Sequence, residues 1–335
     1  MPVLKLYPNG LTGGVPPRKC NPAPALRDEC KGWSLRSSRG NTRFLYSVRS
    51  PELPCSATGE ALLGLSASLT LRRIPESHDD WKKLREAYFF RLRCKGLYRL
   101  HWLTEWQRRG APHLHAAMWF YRSAAQRVVA PYDVPVEAFP ALVKADWLEL
   151  TTARYRAESD GQDIKPIFDD VGWLQYLSKH AARGAAHYQR ALGSIPAGWE
   201  KTGRMWGHIG DFPTSEPLGF ELSNRRWFEF RRIVRGWRLS QSRVSKEPRG
   251  RRIRSARHML TCKDPTLSRV RGVSEWIPLN LGSTMEDWVS RPKVVNRSAG
   301  YLERKESPGR RILGEPALGF MSWVSRLGRQ VNCHE

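Results

Sequence analysis

The sequence predicts an α+β fold, with a central antiparallel β-sheet, helices packed on one face of it, and a basic C-terminal extension. Three observations carry this. Apolar segments at 62–74, 97–106 and 113–121 read as strands. Segments 79–94 and 136–156 read as helices, by apolar spacing in the first and by composition in the second, despite Pro140. Only a short polar turn separates the second and third strands, so they must run antiparallel.

Residues 1–60 are rich in Pro, Gly, Ser and Arg and show no sustained periodicity, which predicts a loosely ordered N-terminal arm. The main folded domain is expected over 61–240. Asp79 to Cys94 forms its first helix, with Ser77 or the acidic pair at the N-terminus. After Val136–Arg156 comes a polar break, SDGQDIKP, then a helix from Asp169 to about Arg183. Residues 221–239 form a basic amphipathic helix, because Trp227, Phe230, Val234 and Trp237 fall at offsets 0, 3, 7 and 10. Periodicity then fades, and 241–335 reads as a basic, partly disordered extension.

Charge narrows the function. The chain of 335 residues has 56 Lys+Arg against 32 Asp+Glu, a formal +24, which points to a polyanionic partner. Residues 241–335 hold 19 basic and 9 acidic residues, net +10. Twelve basic and two acidic residues lie between Arg225 and Arg254. These are expected to contact phosphates and supply non-specific DNA affinity. The six cysteines contain no CxxC pair, so neither a disulfide framework nor a zinc finger is legible. Neither a membrane span nor a signal peptide is recognisable, and a cytoplasmic protein with no membrane partner is expected.

The densest chemistry lies in Thr104–His115, TEWQRRGAPHLH. A strand places i and i+2 on one face, so His113 and His115 point together while Leu114, Ala116 and Met118 point into a core. If Arg108-Arg109-Gly110 is a three-residue loop, with Gly110 left-handed, Gln107 pairs with Ala111. Glu105 then stands opposite His113, and Leu103 opposite His115. A carboxylate and two imidazoles would converge on one cation, although a one-residue slip would undo this. Such a set also occurs in non-haem iron oxygenases, but a +24 chain gives no other sign of a small apolar substrate.

The segment 169–183, DDVGWLQYLSKHAAR, is the second constellation. Leu174, Leu177 and Ala181 form a core stripe. Tyr176, Lys179 and Arg183 form the neighbouring one, with His180 beside them. Cations beside a phenol favour the phenolate and steady a phosphodiester.

Together these motifs resemble the HUH endonucleases of rolling-circle replication. The family's apolar first strand is similar to Ser68-Leu69-Thr70-Leu71. Its His-hydrophobic-His matches His113-Leu114-His115, and its Tyr-x-x-Lys matches Tyr176-Leu177-Ser178-Lys179. Thr202–Gly207 is similar to a GRxWG stretch in initiators of filamentous phages and related plasmids. The resemblance covers roughly 61–240, and no Walker A stretch accompanies it.

The resemblance implies a ferredoxin-like fold and a single-tyrosine initiator working in a bacterial host cell. Such an enzyme nicks and rejoins single-stranded origin DNA through a 5′-phosphotyrosine intermediate. It implies Tyr176 as nucleophile and Lys179 as the residue that orients the metal site or the phosphate. Mg²⁺ or Mn²⁺ is expected on His113, His115 and an acid assigned to Glu105, with Asp79 or Glu86 in reserve. DNA contacts are expected at Thr70, Arg183, Arg204, Trp206, Arg231 and Arg235. Host helicase and polymerase are the implied protein partners. The same motifs serve transposases and relaxases, and a non-catalytic DNA-binding regulator is the remaining alternative.

Overall fold

A computed structural model describes residues 1–14, 32–167, 187–199, 201–244, 273–276 and 279–290, together with Trp173 and His180. The main sheet has five strands. They are β3 (Leu62–Thr70), β4 (Leu97–Trp106), β5 (Pro112–Tyr121), β6 (Asp163–Ile167) and β7 (Trp206–Ile209), in the order β6-β3-β5-β4-β7 with every pair antiparallel.

Alternation along β5 sorts its side chains. Leu114, Ala116, Met118 and Phe120 face a core built with Trp81, Leu84 and Tyr88 of α2 (His78–Cys94) and with Phe139, Val143 and Trp147 of α4 (Phe139–Tyr155). Ser77 caps α2 by accepting a hydrogen bond from the Asp80 amide at 3.1 Å. Pro140 is accommodated in the first turn of α4, where no amide donor is needed. A short helix, α3 (Arg122–Val129), joins the same layer.

The opposite face is not left bare, which modifies the expectation of helices on one face. There Ala117 and Trp119 pack with Leu45 and Tyr46 of α1 (Leu35–Ser47), with Trp173 and with Phe212. The physical reason is the composition of this face: Trp119 is too large and apolar to be left in water, and the rings of Trp173 and Phe212 pack on it.

Four shorter strands make a second sheet, in the order β8-β1-β2-β9: β1 (Val3–Tyr7), β2 (Gly10–Gly14), β8 (Leu218–Glu221) and β9 (Val273–Trp276). Leu4, Leu6 and Leu11 pack with Trp227, Phe230 and Val234 of α5 (Asn224–Val244) and with Met285 of α6 (Leu279–Ser290). The expected arm over 1–60 therefore holds two strands and a helix. Within the extension expected to be basic and partly disordered, residues 273–276 add a strand to the same sheet and 279–290 a helix packed against it. Strands this short carry too few residues for periodicity to show, and although β1 and β2 pair with each other, their outer partners β8 and β9 lie more than 200 positions away.

Candidate metal centre

The β4–β5 hairpin sets the site. Gly110 is left-handed at φ +84°, and the Gln107 amide donates to the Ala111 carbonyl at 2.9 Å. The register follows, with Glu105 opposite His113 and Leu103 opposite His115. Arg109 donates to the carbonyls of Leu71 and Arg72, tying the hairpin tip to the end of β3. β3 pairs on the other side, which places Ser68 opposite His115 and Thr70 opposite His113.

Glu105, His115 and His180 each offer a ligand atom within 4.8 Å of the others, and all three are buried. Oε2 of Glu105 lies 3.5 Å from Nε2 of His115 and 4.0 Å from Nδ1 of His180. Nδ1 of His115 is 2.9 Å from the hydroxyl of Ser68. With Nδ1 protonated and donating to that oxygen, Nε2 turns its lone pair toward the carboxylate. His113 is half-buried beside this group, its ring 4.3 Å from that of His115 and at 71° to it; the His115 and His180 rings are 4.5 Å apart. The hairpin thus brings Glu105 and His115 together. The helical residue that joins them is His180, four positions beyond Tyr176.

Arg190 had no signal in the sequence. Its Nε donates to Oε1 of Glu105 at 2.7 Å, and an Nη donates to the His180 carbonyl at 3.2 Å. Its guanidinium lies 4.0 Å from the ring centre of Trp33, and the Trp33 indole donates to the Thr104 carbonyl at 2.8 Å. Oε1 of Glu105 is thereby held by the arginine while Oε2 faces the histidines. Two imidazoles and one carboxylate, buried and convergent, fit a divalent transition ion such as Mn²⁺ better than Mg²⁺, which prefers all-oxygen surroundings. The reserve acids do not reach this face: Asp79 and Glu86 are exposed on α2 and pair with His78 and Lys82.

Tyr176, Lys179 and Arg183 lie outside the described residues. Thr70 is half-buried at the rim, its amide donating to Oε1 of Gln162 at 2.8 Å. Arg204 is exposed, with no ion-pair partner among the described residues. Trp206 is half-buried on β7. The glycines around them have structural causes: Gly203 is left-handed at φ +59°, and a Cβ on Gly207 would stand 3.0 Å from the Trp102 indole.

Arg231 departs from its expected role as a DNA contact, being only 2% exposed. It follows Phe230 and lies one turn after Trp227, so the helix carries it onto the face that α5 buries. Arg235 is half-buried, and Arg232, between them, faces solvent.

No family model and no solved structure matches the chain. Curated proteins do. It is 42% identical over 288 residues to a protein named "Putative replication protein" in Xylella fastidiosa strain 9a5c, covering 84% of this chain and 94% of that one. A similarly named protein of strain Temecula1 is 40% identical over 283 residues, covering 82% and 99%. The replication-associated protein G2P of Pseudomonas phage Pf3 is 42% identical over 255 residues, covering 76% of this chain and 84% of that one. At such identity over most of both chains, this protein belongs to the family of phage replication-associated proteins that includes G2P of phage Pf3.

Proposed function

We propose that this protein is a single-tyrosine HUH endonuclease that initiates rolling-circle replication. In this reading it nicks single-stranded origin DNA and later rejoins it. The observation that carries the reading is the convergence of Glu105 with His115 and His180 beside His113, with Tyr176 four positions before His180 in the sequence. Kinship with a phage replication-associated protein supports the DNA substrate.

Glu105, His115 and His180 would hold a divalent cation, with His113 as an outer donor. When bound, the cation would polarise the scissile phosphate and offset negative charge in the transition state. The Tyr176 oxygen attacks phosphorus as its proton leaves. The P–O3′ bond breaks, and the departing oxygen takes up a proton to become a free 3′-hydroxyl. The 5′ end stays on the protein as a phosphotyrosine. Lys179, three positions after Tyr176 in the sequence, would favour the phenolate. In rejoining, a 3′-hydroxyl attacks the phosphotyrosine and restores the tyrosine. Since bond energy is conserved, no external energy source is needed.

The test is covalent capture. A single-stranded origin oligonucleotide labelled at its 3′ end should transfer label to the protein when Mn²⁺ is present and not in EDTA. DNA binding without any covalent product would instead identify a non-catalytic regulator.

A further inference from the structure

We infer that the exposed face of α1 is a track for single-stranded DNA leading to the metal centre, an inference that rests on the function proposed above. The helix contains no acidic residue and three arginines, Arg36, Arg39 and Arg43. Their offsets of 0, 3 and 7 align them on one face, spanning ~10 Å of the axis. All three are exposed, and none has an ion-pair partner among the described residues. The opposite side of the helix, through Ser38, Asn41, Thr42, Leu45 and Tyr46, is buried. A fold that anchors one side of a helix so fully, and leaves three unneutralised cations in line on the other, presents a surface for a polyanion.

Aromatic rings border this stripe. Gly40 lies one turn from both Arg36 and Arg43, and the Trp206 indole is 3.1 Å from where its Cβ would stand. One turn further, Phe44 stacks on the exposed His208 ring at 4.4 Å and 6°. Trp206 is half-buried, and burial together with the nearby, exposed Arg204 lowers the pKa of His208. Cations flanking partly open rings suit a strand whose bases are unpaired, because phosphates meet the guanidinium groups while bases stack. A duplex hides its base faces and would use only the charges.

The position of α1 gives the track a direction. Arg36 lies three residues after Trp33, which stacks on Arg190 and bonds to the Thr104 carbonyl next to Glu105. The Arg36 end of the stripe therefore lies toward the metal centre, and Gly40 and Phe44 set the helix against Trp206 and His208 of edge strand β7.

The test compares full-length R36Q/R39Q/R43Q with K83Q/R93Q/R127Q, which removes three exposed cations from α2 and α3 on the other face of the sheet. Glutamine keeps helix propensity near that of arginine or lysine. Binding of a short mixed-sequence single strand is measured in EDTA across a salt series. The α1 variant should lose about tenfold in affinity, and its log–log salt slope should flatten by about 2, from three phosphates at ~0.7 each. The control should stay near the native value. An unchanged slope, or an equal loss in the control, overturns the track. Loss of duplex binding alone, or of binding to phosphatidylserine vesicles alone, overturns it in favour of those partners. If the native chain forms the tyrosine adduct while binding is indifferent to α1, only this inference falls; if it neither binds nor cleaves single strands, the proposed function falls with it.

Discussion

Arg190 and Glu105 form a fully buried ion pair, 2.7 Å from Nε to Oε1, with both side chains at 0% exposure. The same guanidinium reaches the His180 carbonyl and stacks on Trp33, so one side chain ties β4 to the histidine it faces and to the start of α1. Replacing such an arginine leaves a carboxylate buried without its partner. Arg190→Met should therefore destabilise the protein by roughly 3–5 kcal/mol, read from the urea unfolding midpoint. Arg190→Lys keeps the charge and loses the planar fork, and should still lower Mn²⁺ affinity measurably. A native unfolding curve for Arg190→Met would show that Glu105 is protonated or satisfied elsewhere.

The ligand set can be separated by calorimetric titration with Mn²⁺. Alanine at Glu105, His115 or His180 should abolish binding or weaken it at least about a hundredfold, whereas His113→Ala should cost less. Ser68→Ala removes the hydroxyl that orients the His115 ring through Nδ1 and should weaken binding about tenfold. If His113→Ala matches His115→Ala while His180→Ala binds normally, the two strand histidines are the ligands and His180 only packs beside them.

Tyr176→Phe keeps the ring and deletes the nucleophilic oxygen, so the covalent DNA adduct should vanish while DNA binding persists. Tyr188 is exposed, lies near Arg108 at 5.5 Å and has no Tyr-x-x-Lys spacing, so Tyr188→Phe should still form the adduct. An adduct that survives the first change and disappears with the second would move the nucleophile to Tyr188.

His101 provides a pH signature of the fold. Burial, reinforced by His208 and Arg190, pushes its pKa down to about 3, and its Nε2 is 2.8 Å from Oδ1 of Asn41 on α1. The imidazole is neutral when folded, and the unfolded chain takes up its proton near pH 6.5. Between about pH 6.5 and 3 the unfolded state binds the extra proton, so stability should fall as pH is lowered through that window. The loss at pH 3 is on the order of 5 kcal/mol from this residue alone. His101→Gln should flatten the dependence of the urea midpoint on pH across that window. An unchanged slope would mean that His101 is solvated or protonated in the native state.

The β4–β5 hairpin was legible from the sequence because its determinants are local. A two-residue period, a polar turn and a glycine that accepts positive φ fix the register that sets Glu105 opposite His113. The long helices α2, α4 and α5 were readable for the same kind of reason, since each repeats its apolar stripe over several turns or has a helix-forming composition. Short strands such as β6, inside a polar break, and β7, inside a glycine-rich stretch, were not. They are strands because a neighbour offers them hydrogen bonds, and pairing across 99 positions leaves no trace in local spacing.

The sequence by itself determined the charge, the kinship and the face of the hairpin on which the chemistry sits. Only the tertiary structure decided which histidine joins Glu105 and His115, and which of the many arginines is not a surface cation. His180 and Arg190 lie 75 and 85 positions beyond Glu105; spacing set His180 beside Tyr176 and Lys179 but did not mark it as a ligand, and nothing near Arg190 distinguishes it from other arginines. Their roles come from burial. Once Arg190 is removed from water, its charge must be met by a carboxylate, and the fold brings Glu105 within reach.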